Sequence, residues 1–132
     1  MSRDPAPLLL TMGDACGIGP EICVAAWLRE GRGDARVVGD VEVMRRALRL
    51  LGLALPVARL ERADEAAPPD CLPVWEPPGL AEGLGGRLVN EPLGQVSARA
   101  GAAAARCIEA AVREQQAGRS RALVTAPIHK EA

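Results

Sequence analysis

Two short segments of this chain carry residue types whose spacing could do chemistry. The first reads Met12-Gly13-Asp14-Ala15-Cys16-Gly17-Ile18-Gly19-Pro20-Glu21. Glycines between a strand and a helix let backbone approach a ligand closely, and a helix N-terminus offers unpaired N–H groups to an anion. Gly17-x-Gly19 is followed at the third glycine position by Ile22, so the complete dinucleotide fingerprint G-x-G-x-x-G is absent. A tight turn that needs glycine backbone angles explains the same residues without a ligand. Asp14 could cap the turn or point at a bound group. The second segment reads Val124-Thr125-Ala126-Pro127-Ile128-His129-Lys130-Glu131. Thr125, His129 and Lys130 together could hold a phosphate or carboxylate. The plainer account is that Pro127 opens a helix and that His129 and Lys130 are solvated.

The elements around these segments alternate. Residues 7–12 (PLLLTM) form an apolar run that stops at Gly13-Asp14, the profile of a buried strand entering a turn. Pro20 suits the first position of a helix, with Glu21 complementing the dipole. That helix is expected to reach Arg29 and to turn Ile22, Ala25 and Ala26 inward. Residues 35–38 (ARVV) predict a second strand. Asp40 then N-caps a helix whose apolar positions are Val43, Met44, Ala47, Leu48 and Leu51, ending at Gly52. A third strand is expected over 55–60.

From about 61 to 93 the chain is rich in proline and glycine and reads as an irregular connection. Residues 72–75 form at most a short strand, which Pro73 should confine to a sheet edge. Ser97 can cap a long helix with Ala104, Cys107, Ile108, Ala111 and Val112 inward and Gly118 as its stop. Residues 121–125 (RALVT) form the last strand. Such alternation implies an α/β fold, a three-layer parallel or mixed sheet with flanking helices, in one unit over 1–132. The second segment then sits at the carboxyl end of a strand, where open α/β sheets place ligands.

Composition narrows the field. The net charge is −1 and the arginines are interspersed with acids, so nothing marks the chain as a binder of nucleic acid or an anionic membrane. There is no Phe or Tyr and there are two Trp, so Leu, Val, Ile and Ala must build the core, with Trp27 and Trp75 as packing residues. Cys16, Cys23, Cys71 and Cys107 form no C-x-x-C pair, and His129 is far from them in sequence, which argues against zinc. Buried, reduced thiols and a cytoplasmic location are the expectation. Cys16 lies near a helix start without a visible base, a poor setting for a nucleophile.

Taken together, MGDACGIGPE and VTAPIHKEA resemble two signatures of the 4-hydroxythreonine-4-phosphate dehydrogenase family. Val37 to Asp40 (VVGD) and Gly94-x-x-Ser97-x-x-x-Gly101 match between them. The resemblance covers essentially the whole chain, with Ala15 and Cys16 standing where the family usually has proline and alanine. It implies an isopropylmalate dehydrogenase-like fold, here truncated, since family members are more than twice as long. It implies NAD- or NADP-dependent oxidation, with decarboxylation, of a phosphorylated hydroxy-amino acid on the route to pyridoxal phosphate. A divalent metal (Zn, Mg or Co) and a homodimer are also implied. The metal-binding histidines and a Gly-His-Thr substrate motif belong to later segments, so no catalytic or metal residue is expected within these 132 positions. By the further likeness of the first loop to isopropylmalate and isocitrate dehydrogenases, Asp14, Gly17, Ile18 and Gly19 would flank the nucleotide. Thr125, His129 and Lys130 would face the phosphorylated substrate. Two other expectations compete with a dehydrogenase portion that is inactive alone. One is a non-catalytic nucleotide- or phosphate-binding module or pseudoenzyme remnant. The other is a chain that self-associates through an open sheet edge.

Overall fold

The computed structural model describes residues 6–29, 34–80, 93–94 and 98–126. Five strands, β1 (Leu8–Thr11), β2 (Ala35–Val38), β3 (Val57–Leu60), β4 (Leu72–Trp75) and β5 (Ala122–Thr125), form one sheet in the order β3-β4-β2-β1-β5. Every pair among them is parallel. The helices are α1 (Gly19–Arg29), α2 (Val41–Leu50) and α3 (Ala98–Gln116). Helices α1 and α2 pack on each other, while α3 lies over β1 and β5. The chain is thus α/β, a parallel sheet with flanking helices.

The core contains Leu9, Leu10, Met12, Val24, Trp27, Val37, Val38, Met44, Leu72 and Val74, all fully or almost fully buried. The two stops read from glycine are real. Gly52 has φ +69 and Gly118 φ +81, the left-handed angles that a helix C-terminus uses. Around them Leu53 donates to the Leu48 carbonyl and Arg119 to the Glu114 carbonyl, so each last turn is closed by backbone. Beside the second stop, Arg119 also grips the buried Glu114 carboxylate with two nitrogens, at 2.9 and 2.6 Å.

Four expectations need correction. Strand β4 is an interior strand, between β3 and β2, not an edge. Pro73 survives there because the β2 ladder begins only after it, at Val37↔Val74. Leu72 N–H donates toward the β3 side, to the Pro56 carbonyl, so by strand alternation the Pro73 nitrogen faces β2. The Ala35 carbonyl across from it accepts from the Arg36 guanidinium instead, at 3.3 Å. Arg36 is itself buried and also donates to the Glu65 carbonyl.

In α1 the buried face is Pro20, Cys23, Val24 and Trp27, whereas Ile22 and Ala25 are exposed and Ala26 is half-buried. The helix is apolar on most sides, so composition leaves its rotation open. Leu51, expected inward on α2, caps that helix with its side chain exposed. The long helix keeps Ala104, Cys107 and Ala111 buried, but Ile108 and Val112 only partly so. Ser97 lies outside the described residues.

Asp40 caps α2 as expected, accepting from Val43 N–H at 2.9 Å. It is buried, and Glu76 stands nearby, accepting from Val41 N–H at 3.0 Å. Burial first, and then the Glu76 charge, push the Asp40 carboxyl above its ordinary range. A carboxyl raised in the folded state stabilises fully below its unfolded pKa, and that contribution is lost as pH rises through the folded value. Asp40→Asn keeps the cap acceptor and removes the buried charge. It should therefore be at least as stable as the parent at pH 7, with the advantage shrinking at pH 4. Asp40→Ala should lose about 1 kcal/mol. Thermal melts at both pH values check this, and an Asn variant less stable than the Ala variant would refute it.

Candidate functional site

The last residues of all five strands form one row. Leu60 pairs with Trp75, Trp75 with Val38, Val38 with Thr11, and Thr11 with Thr125. Every loop that follows a strand therefore leaves from the same sheet edge. The two segments singled out in the sequence leave from neighbouring strands, since Ala126 N–H donates to the Thr11 carbonyl at 3.2 Å. The strand order also reverses here. From β1 the chain runs out toward β2, and α3 later carries it back across to β5 on the other side of β1. Ligands of open α/β sheets sit outside the carboxyl ends at such a reversal.

The loop between β1 and α1 is tied at several backbone groups. Asp14 Oδ1 accepts from Cys16 N–H at 2.9 Å, and the Asp14 carbonyl accepts from Gly17 N–H at 3.0 Å. The Ala15 carbonyl accepts from Arg46 of α2 at 2.7 Å, and the Cys16 carbonyl from Gly94 N–H at 2.6 Å. Of the two roles open to Asp14, one carboxylate oxygen thus takes the turn-making one.

The glycines divide in purpose. A Cβ on Gly19 would lie 2.3 Å from the Met12 carbonyl oxygen, so α1 starts pressed against the end of β1 and no side chain fits. A Cβ on Gly17 would come only to 3.3 Å of the Asp14 carboxylate. Ile18, between them, is 64% exposed, and Ile22 one turn later is also exposed, so the loop presents apolar side chains outward.

Beneath the loop, Thr11 is fully buried and its hydroxyl finds no hydrogen-bond partner among the described residues. Cys23 donates its thiol to the Thr11 carbonyl at 3.1 Å. Burial pushes the Cys23 and Cys107 thiols up to about 12, far from a thiolate at neutral pH. Cys16 is buried as well.

Thr125 is exposed at the end of β5, next to Val124, which is 49% exposed. His129 and Lys130 lie outside the described residues, so of the second segment only the position of its first members is fixed. Sequence reasoning missed Arg46, because a second arginine in the Arg45-Arg46 pair carries the signature of a solvated helix face. It likewise gave no hint that Gly94 closes the first loop. A cavity of about 470 Å³ lies elsewhere, between Trp75, Pro77 and Pro78 and the Arg106 and Arg113 side of α3, lined by none of the motif residues. We place the candidate site at this edge, because the first motif, the start of the second and the reversal of strand order coincide there.

Among the described residues no three His, Cys, Asp or Glu side chains gather as a metal site would require, and no helix is long and apolar enough to cross a membrane. The described residues therefore do not by themselves fit a divalent metal.

A parallel α/β sheet with flanking helices, from whose neighbouring strand ends the two motif segments leave, defines the broad class, that of open α/β sheets. Within it, the chain belongs to the family of pyridoxal phosphate biosynthetic protein PdxA, whose model matches residues 33–132. It is 41% identical to the 4-hydroxythreonine-4-phosphate dehydrogenase of Methylorubrum extorquens, over 98% of this chain and 37% of that protein. It is 38% identical to the D-threonate 4-phosphate dehydrogenase of Pectobacterium atrosepticum, over 95% of this chain and 38% of that protein. The crystal structure of a 4-hydroxythreonine-4-phosphate dehydrogenase from Burkholderia phymatum superposes with a TM-score of 0.82 at 32% identity, covering 98% of this chain and 38% of that one. The chain thus spans well under half the length of these relatives.

Proposed function

We propose that this chain supplies the first-loop and TAPIHKEA portions of a dehydrogenase site of the isopropylmalate dehydrogenase-like kind. The site oxidises a phosphorylated hydroxy acid with NAD or NADP, and residues outside these 132 complete it. The observation that carries this reading is the pairing of Thr11 with Thr125, by which the two motif segments leave neighbouring strand ends at one sheet edge. In it Asp14, Gly17, Ile18 and Gly19 flank the nucleotide, and Thr125, His129 and Lys130 face the phosphorylated substrate. The substrate is 4-phosphohydroxy-L-threonine, on the route to pyridoxal phosphate. The presence of D-threonate 4-phosphate dehydrogenases among the relatives keeps that sugar acid as the competing substrate. The nucleotide supplies the hydride acceptor when bound. This chain's own contribution is to hold anionic groups and to orient them at the sheet edge. No step is assigned to a metal here, since its donors are not brought together by the described residues. For the full-length protein a homodimer completes the reading, as does a location in the cytoplasm.

Thermal shift of the chain with NAD, NADP and each phosphorylated acid tests the binding half. A bound ligand raises Tm progressively with concentration, by mass action on the folded state. The chain alone should bind without turning over. Turnover by the chain alone would refute the shared site, and no shift with any of these ligands would refute the binding role. The second reading, self-association, is favoured by the exposure of Val124 and Thr125 on β5, which pairs only with β1 among the described strands. Sedimentation across a concentration series separates it, because a monomer throughout would exclude it.

A further inference from the structure

We propose that Arg46 is a positioning residue for the glycine-rich loop, acting through the Ala15 carbonyl. The inference rests on the reading of that loop as ligand-facing. Arg46 sits on α2, one residue before the buried Ala47, and is itself half-buried. Its guanidinium reaches out of the helix to the loop and donates to the Ala15 carbonyl at 2.7 Å. That bond joins an element capped by buried Asp40 to a segment held besides by two short-range bonds, Asp14 to Cys16 and Asp14 to Gly17, and by Gly94 N–H on the Cys16 carbonyl. A charged donor to a carbonyl is stronger than a neutral one, and here it spans two elements that already pack on each other.

The arrangement has a specific consequence. Pinning the Ala15 carbonyl toward α2 fixes the peptide plane between Ala15 and Cys16, and with it the direction of the Cys16 N–H and the turn into Gly17. The loop is thereby held in one shape before any ligand arrives, which lowers the ordering cost of binding. A proline at position 15 would stiffen the loop covalently. In this chain the arginine supplies the restraint from outside.

The test pairs Arg46→Met, which keeps an apolar stem and removes the donors, with Arg46→Lys, which keeps one. Amide hydrogen exchange at Cys16 and Gly17 is read against amides of β1 and β2, and inorganic pyrophosphate serves as the ligand probe. Arg46→Met should speed exchange at Cys16 and Gly17 by roughly 10-fold or more, the scale of a lost bond to a charged donor. The strand amides should stay near their parent rates, Arg46→Lys should recover part of the protection, and pyrophosphate should bind Arg46→Met more weakly. Unchanged loop exchange, or equal acceleration of loop and strand amides, would overturn the proposal. So would no recovery by lysine. If the loop loosens as expected but pyrophosphate binds neither parent nor variant, the positioning role stands and the ligand-facing reading of the loop fails.

Discussion

Replacing Gly19 with alanine is expected to cost more stability than replacing any other glycine of the first loop. The new methyl carbon would meet the Met12 carbonyl oxygen at 2.3 Å and the Asp14 nitrogen at 3.1 Å, and both are backbone. Backbone cannot rotate away as a side chain can, so α1 must lift from the end of β1 or the loop must distort. Overpacking in a tight core costs about 1–3 kcal/mol, occasionally more, and a backbone obstacle belongs at the high end. Gly39→Ala makes a useful control. Its methyl would meet the Met12 side chain at 2.8 to 3.0 Å, and a methionine can repack. Gly17→Ala should be milder still, since its nearest neighbour is the Asp14 carboxylate at 3.3 Å. Chemical denaturation of the three variants gives the order Gly19, then Gly39, then Gly17. If Gly19→Ala were as stable as Gly17→Ala, the close approach of helix to strand would be wrong.

Truncating Trp27 should be the most damaging change in the α1 side of the core. Trp27 is 1% exposed and is the largest fully buried side chain. Its neighbours on the buried face are the small Cys23 and Val24, which cannot swing into the space an alanine would leave. Loss of a buried tryptophan costs about 3–5 kcal/mol, a large share of the stability of an ordinary domain of this size. Trp27→Ala should therefore be largely unfolded at room temperature or melt far below the parent. Trp27→Leu should fall between the two. Exposed Ile22→Ala, on the opposite side of the same helix, should change stability little. Equal losses at Trp27 and Ile22 would mean that the helix is rotated from the position described.

That rotation is also where the amino-acid sequence was least legible. Strong local signals carried through to structure: the acidic cap at Asp40, the stops at Gly52 and Gly118, and the short strand segments at 35–38 and 122–125, each ending in two β-branched residues. Each is decided by a few neighbouring residues. The inward face of α1 is decided elsewhere, by the backbone contact at Gly19 that fixes the helix's phase, and its even coat of apolar residues hides the answer. Strand β4 failed for a related reason. A proline argues for an edge only if its missing N–H would have been needed. Here Arg36, far along the chain, occupies the carbonyl that the proline leaves vacant.

For the candidate site, the motifs mark the chain that leaves β1 and β5 at one sheet edge. Adjacency of those strand ends depends on β5 pairing beside β1, which spacing alone does not give. The glycine pattern was ambiguous because one glycine serves packing and the other leaves room, and only the surrounding atoms separate them. Arg46 was invisible, since a donor that crosses from another helix leaves no trace in local composition.

The placement of β1 has a bearing on how the chain is made. Strand β1 sits inside the sheet, and one of its two partners is β5, far along the chain, so one side of β1 waits unpaired until the residues around 122 have emerged. Contacts that close so long a loop are slow to form. During synthesis, residues 8–11 are an apolar strand with one bare edge, and that interval, more than the finished fold, is when this chain is most exposed to mispairing.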